Sequence, residues 1–71
     1  MFQHEKARNA DELLHRDKYT TEELSELLEM DEYVIRRAIY SGELRANRIG
    51  DDIINVDRSE VLRWLRAAQE A

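Results

Sequence analysis

TTEELSELLEMDEYVIRRAIYSGELRANRIG, residues 20–50, is the stretch whose reading decides the fold of this 71-residue chain. Its first part reads as a helix from about Thr21 to Glu29. Thr20 supplies the N-cap, because its hydroxyl accepts an N–H that the first turn leaves unpaired. Glu23, three residues on, reaches back to complete a capping box. Leu24, Leu27 and Leu28, at i, i+3 and i+4, form one apolar stripe. Glu22, Glu26 and Glu29 share the outer face, and the small Ser25 sits where a neighbouring helix approaches closely. Glu29-Met30-Asp31 is a short turn. A second helix follows from about Glu32 to Ser41, with Asp31 as its N-cap. Ile35, Ala38 and Ile39 are its buried stripe and Val34 stands at the edge. Gly42 is placed as the C′ residue, free to take positive φ and end the helix.

Two short extended runs come next, Arg45 to Ile49 and Ile53 to Val56, separated by the turn signal Gly50-Asp51-Asp52. Ile49, Ile53 and Val56 are what this hairpin offers a core. The last helix is expected from about Arg58 to Ala68. Asp57 with Glu60 reads as a second capping box. Val61, Leu62, Leu65 and Ala68 line its apolar stripe, and the adjacent Trp64 either packs over the hairpin as part of the core or stands as an exposed contact. Arg58, Arg63 and Arg66 decorate its other side, and the tail from Ala67 frays. Ahead of all this, Ala7, Ala10 and Leu14 at i, i+3 and i+7 allow a short amphipathic helix from about Gln3 to His15. The alternative is a solvated arm with only Leu13 and Leu14 touching the core. The domain organisation is then an arm or short helix over 1–18 and one folded domain over 19–68.

Two helices joined by so few residues make a helix-turn-helix, and a hairpin directly behind the second helix is a wing. The expected fold class is mainly α with a small β-hairpin, a winged helix-turn-helix. In that arrangement the second helix enters the major groove of DNA. Its outer face carries Glu32, Tyr33, Arg36, Arg37 and Tyr40. Arginine there bonds bidentately to guanine O6 and N7, or reaches phosphate. On the hairpin, Arg45 and Arg48 suit contact with the flanking backbone. The candidate DNA-binding residues are therefore Tyr33, Arg36, Arg37, Tyr40, Arg45 and Arg48.

Charge both supports and opposes this reading. The net charge is −5. Residues 1–30 sum to −4, residues 31–50 to +1 and residues 51–71 to −2. The one positive third is the one assigned to DNA, yet Asp51 and Asp52 occupy the hairpin tip, where carboxylates face phosphate. The composition also speaks against other classes. There is no Cys, so no disulfide and no thiolate zinc site. His4 and His15 both lie in the arm, and the carboxylates sit on outer faces or at caps. Gly42 and Gly50 each serve a turn rather than a phosphate loop. No enzyme activity, cofactor or metal is expected. No apolar run approaches the roughly 20 residues of a membrane span, and the start lacks a signal-peptide core, so a cytoplasmic location is expected.

From Tyr19 to Leu65 the chain resembles the excisionase family of DNA-binding domains, relatives of the MerR-type winged helix. The resemblance is carried by Thr20 with Glu23, the Leu27-Leu28 pair, Ile35 with Arg37 and Ile39, Gly42-Glu43-Leu44, Arg48-Ile49-Gly50 and the helix VDRSEVLRWL. It covers about two thirds of the chain. It implies a second helix in the major groove, contacting through Arg36, Arg37 and Tyr40, and a wing in the minor groove, contacting through Arg45 and Arg48. It implies a recombination directionality factor that binds and bends double-stranded DNA beside an integrase, as several copies or with that partner. A small transcription regulator with the same domain is the alternative role. The chain departs from the family pattern at Ser25, where Ala is common, at Glu29, where Gly is common, and at Asp51, Asp52 and Ile54, where basic residues are common. Those departures, with the Glu22, Glu26 and Glu29 face, leave a third reading open: an acidic protein-interaction module on the same fold.

Overall fold

A computed structural model describes residues 10–70. Helices make up half of the chain and are joined by a three-stranded antiparallel sheet. In chain order these are α1 (Ala10–Leu13), β1 (Lys18–Tyr19), α2 (Thr21–Leu28), α3 (Glu32–Ser41), β2 (Asn47–Ile49), β3 (Asp52–Asp57) and α4 (Arg58–Glu70). Most of the segment from Gln3 to His15 lies outside the described residues; of it, Ala10–Leu13 is helical.

The α2 capping box forms as its sequence requires. The Thr20 hydroxyl accepts from the Glu23 N–H at 3.1 Å, and the Glu23 carboxylate accepts from the Thr20 N–H at 2.8 Å. Asp31 caps α3 by accepting from the Tyr33 N–H, and Gly42 ends it at φ 93°. Between the two helices the chain reverses at Glu29, which takes φ 55° and ψ 48°. Ser25 holds that reversal. Its carbonyl accepts the N–H groups of Glu29 and Met30, and its hydroxyl donates to the Met30 carbonyl at 2.7 Å. The serine thus binds the turn, rather than serving only as a small residue for close helix approach.

The core contains Leu14, Tyr19, Leu24, Ile35, Ala38, Ile39, Leu44, Val56 and Val61. Leu24, Ile35, Val56 and Val61 are completely buried, one from each of α2, α3, β3 and α4. Each long element therefore gives its central apolar residue to a common centre. Leu27, Leu28, Ile53, Leu62, Trp64 and Leu65 pack around it, half-buried.

Strand β1 has no signal in the sequence. It is two residues long and pairs Lys18 with Asp57 and Tyr19 with Val56. The order β1-β3-β2 makes β3 the central strand. Several bonds fasten the segment before β1. The Arg58 N–H donates to the Asp17 carbonyl at 2.8 Å, and Arg58 Nε donates to the Leu14 carbonyl at 2.8 Å. The Arg16 N–H donates to the Tyr19 hydroxyl, and the Arg16 guanidinium lies 5.1 Å from the Tyr19 ring centre. Leu14, 1% exposed, thus belongs to the core although it precedes the Tyr19 start expected for the domain.

The hairpin differs from expectation in its register. Arg48 pairs with Ile53 and Asn47 with Asn55, so Ile54 is an extra residue without a partner across the ladder. In a regular strand Ile53 and Val56, three apart, point to opposite faces; the bulge lets both turn to the core. Ile49 pairs with Asp52 and shares its outward face. It is 72% exposed and does not close the core. Gly50, at φ 62°, takes the first of the two turn positions, where a tight hairpin needs positive φ.

At the last helix, further expectations are corrected. The Asp57 carboxylate accepts from Lys18 Nζ at 2.8 Å and from Asn47 Nδ2 at 3.0 Å. It ties β1 and β2 to β3 rather than capping α4, and Glu60 pairs instead with Arg63 at 3.5 Å. Ala68 is exposed, because the core ends before the last turns of α4. The helix runs to Glu70, two residues past the expected bound. Trp64 is half-buried against the core and also borders a shallow cavity with Glu43, Ala67 and Ala68.

Glu29 yields the first prediction. A side chain in the left-handed region costs about 1–2 kcal/mol, and glycine adopts it freely at a smaller cost in unfolded-state entropy. Glu29→Gly is expected to raise the unfolding free energy by about 0.5–1 kcal/mol in urea titration. An equal or lower midpoint would show that the strain is no larger than the side-chain interactions lost with Glu29.

Candidate functional site

Among the described residues, the outer face of α3 carries a cluster of exposed large side chains. The inner face is fixed by Ile35, Ala38 and Ile39, and a helix with that stripe inward must turn Tyr33, Arg36, Arg37 and Tyr40 outward. Tyr33 is 65% exposed and Tyr40 is 52% exposed. Both arginines are exposed as well. Two large aromatic rings and two guanidinium groups therefore stand in solvent on one helix.

The hairpin joins this face through Tyr40. The Tyr40 hydroxyl donates to the Asp51 carbonyl at 2.8 Å, which fastens the hairpin tip to the helix. Arg48 lies over the Tyr40 ring, its guanidinium carbon 5.4 Å from the ring centre. The register explains this: Arg48 shares a strand face with Ile53, and that face looks towards α3. Of the six residues singled out from the sequence, Tyr33, Arg36, Arg37, Tyr40 and Arg48 form one connected face across α3 and β2. Arg45 is exposed and is not part of the Tyr40 contact itself. It lines a groove with Asn47, Asp57 and Glu60 and shares a second with Ile39, Leu44 and Arg48.

The arginines differ in their surroundings. Arg36 donates to Glu32 Oε2 through both Nε at 3.2 Å and Nη2 at 3.1 Å. That same oxygen accepts from the Thr21 hydroxyl at 2.8 Å. Thr21 is the one buried polar side chain among the described residues. The Thr21 hydroxyl, with help from Arg36, holds the Glu32 carboxyl below the usual carboxylate range. The guanidinium groups of Arg37 and Arg45 have no hydrogen-bond or ion-pair partner among the described residues. The sequence pattern assigned Glu32 to the outer face but carried no sign of the bond to Thr21, since the two lie on different helices.

Around this face the chain is acidic. Glu22, Glu26 and Glu29 are exposed along α2, and Asp51 and Asp52 are exposed at the hairpin tip. The Tyr40 bond is made to the Asp51 carbonyl, so the two tip carboxylates remain free to solvent. No group of three or more metal-binding side chains occurs among the described residues. No described helix is long and apolar enough to cross a membrane.

Comparison with protein-family models, with curated proteins and with solved structures finds no match to this chain.

Two predictions follow from the bonds around the site. Glu32, Glu23 and Asp57 all sit below their ordinary values, through Thr21, through the Thr20 N–H and through Lys18 respectively. A depressed folded-state pKa gives stability that is complete above the unfolded value, near pH 4, and lost as pH falls through the folded value. Urea midpoints are expected to hold from neutral pH to about pH 5 and to fall steadily below about pH 4. A midpoint unchanged down to pH 2.5 would remove these three bonds from the stability of the fold. The second concerns the tip: Tyr40→Phe should speed amide exchange at residues 50–52 by several-fold while leaving the α3 amides protected. Equal exchange at the tip would mean that the Tyr40 bond does not hold it.

Proposed function

We propose that this chain is a DNA-binding module of the winged helix-turn-helix kind, with α3 as the recognition helix and the β2–β3 hairpin as the wing. The observation that carries the reading is the continuous face made by Tyr33, Arg36, Arg37, Tyr40 and Arg48, where Arg48 over Tyr40 joins hairpin to helix. Aromatic rings and guanidinium groups exposed together on a rigid helix are the chemistry of nucleic-acid contact, because arginine bonds bidentately to guanine and any cation offsets phosphate. The three-residue link between α2 and α3 supports the same reading, as does a hairpin that follows the second helix directly.

The biological role follows the resemblance to excisionases. The chain acts beside a recombinase site, where it binds and bends double-stranded DNA, or it regulates transcription with the same contacts. Bending a short site takes of order 1–6 kcal/mol. Four or five cations on one small monomer supply little surplus for that, so further copies or an integrase share the load. The exposed acidic α2 face, led by Glu22 and Glu26, points away from phosphate and is available to such a protein partner. The tip carboxylates keep the wing shallow: it touches the flanking backbone through Arg48 and Arg45 and does not enter the minor groove.

Arg37 offers the sharpest test, since it is exposed and free of internal partners. Arg37→Glu should weaken binding to a short duplex by more than about tenfold, measured by fluorescence anisotropy at low salt, with an unchanged urea midpoint. The wild-type affinity should fall with salt at a log–log slope of roughly −3 to −5 per copy, and the variant's slope should be shallower. Equal binding by the variant would end the recognition-helix assignment. No duplex binding by the wild type would favour the acidic α2 face as a dock for a basic protein.

A further inference from the structure

Arg36 and Glu32 look at first like a neutralised pair, one cation withdrawn from the site. The geometry of the pair argues otherwise. A guanidinium has five N–H donors. Glu32 takes the Nε–H and one Nη2–H, both on its Oε2 atom. What remains is the outer end of the group, the two Nη1–H donors and the second Nη2–H. The parallel Nη1–H and Nη2–H of that end are the fork that fits O6 and N7 of guanine. Glu32 therefore occupies the side edge of Arg36 and leaves its reading edge open.

Glu32 is itself not free to follow Arg36. It stands at the first position of α3, and the buried Thr21 hydroxyl of α2 donates to the same Oε2 at 2.8 Å. Thr21 is 5% exposed, so little water competes for its hydroxyl. The chain of contacts runs from the packed interior through Thr21 and Glu32 to Arg36. Each link removes rotational freedom from the next. An arginine side chain otherwise has many rotamers to lose before it makes a paired contact. Arg37 and Arg45 have no such support among the described residues, and Arg48 is held over the Tyr40 ring without a hydrogen bond to its fork; Arg36 is the arginine of this face oriented in advance by hydrogen bonds.

We propose that Glu32 is the positioning residue for Arg36, and that the Thr21–Glu32–Arg36 relay makes Arg36 the residue of this face that reads a guanine. The proposal rests on the DNA-binding reading above and adds the division of labour within it. Arg36 supplies sequence discrimination, whereas Arg37, Arg45 and Arg48 supply affinity through phosphate. Glu32 acts against simple attraction, because its own charge repels phosphate. Its loss therefore moves the two quantities in opposite directions, which a merely structural carboxylate would not do.

The experiment is selection of bound sequences from a randomised duplex library, followed by anisotropy with the enriched duplex and with a version carrying adenine in place of the preferred guanine. The wild type should enrich a motif with a guanine, preferred over adenine by roughly tenfold. Glu32→Gln should reduce that preference about fivefold while binding random duplex at least as tightly as the wild type. Arg36→Lys keeps the charge and loses the fork, so it should lose the same preference. In the Arg36→Lys background, Glu32→Gln should change the preference no further, since it acts through Arg36. Thr21→Val, which keeps both members of the pair, should show an intermediate loss; an intact fold for each variant is checked by its amide spectrum. A preference unchanged in Glu32→Gln, or lost equally on top of Arg36→Lys, would overturn the relay while leaving the DNA-binding reading in place. A wild type that enriches nothing and binds no duplex would overturn that reading itself.

Discussion

The structure depends on one constraint: the chain must reverse between α2 and α3 within Glu29, Met30 and Asp31. A helix ends with unpaired carbonyls, and a new one begins with unpaired N–H groups. Both sets must be satisfied within a few residues. Ser25 meets much of this demand, since its carbonyl takes two N–H groups and its hydroxyl takes none but gives one to Met30. The solution needs one residue in the left-handed region, and the chain places a glutamate there. With the reversal fixed, Leu24 and Ile35 face each other and Thr21 comes within hydrogen-bond reach of Glu32. The orientation of α3, and with it the outward direction of Arg36 and Arg37, follows from this turn.

A second constraint comes from size. A chain of this length buries a modest core, and each element must contribute. No disulfide is available to it. The chain compensates by drawing in residues that lie far apart in sequence. Arg58 crosses back to hold the carbonyls of Leu14 and Asp17, and Asp57 gathers Lys18 and Asn47. Both act at the junction of β3 with α4. The junction thereby closes the sheet against the N-terminal segment, and Leu14 and Tyr19 complete the core there.

What was legible in the sequence has a physical boundary. Features set by neighbours within four residues were readable: the Thr20–Glu23 box, the Asp31 cap, the Gly42 stop, and the stripes of Leu24 and of Ile35, Ala38 and Ile39. The bounds of α3 agree with the pattern because both of its ends carry strong local signals. Features set by distant partners were not readable. Strand β1 exists because β3 offers it a ladder, and Lys18-Tyr19 alone has no strand pattern. Asp57 and Glu60 have the spacing of a capping box, but two donors from other strands reach Asp57 first. Leu44 and Tyr19 enter the core from links with no period to show it. The bulge at Ile54 defeats an alternation argument by its nature, since it changes the count by one. The six candidate contact residues came from helical period and composition. The relay from Thr21 to Arg36 crosses from one helix to the next, where periodicity has nothing to say.

The acidity of the chain belongs in the same physical account. At physiological ionic strength charges are screened within about 8 Å. At long range a duplex meets a net charge of −5 and is repelled, so the chain is not steered to DNA from afar. Within a Debye length local charge counts most, and there Arg36, Arg37, Arg45 and Arg48 are separated in sequence from most of the chain's carboxylates, with Glu32, held in the relay, and the tip pair Asp51 and Asp52 as near ones. On the proposed reading, this separation suppresses weak binding to arbitrary DNA while allowing tight contact where the helix fits. The discrimination then has to come from orientation rather than from charge. A side chain whose direction is fixed from the core, as Arg36 is through Glu32 and Thr21, is the kind of group that such a strategy requires.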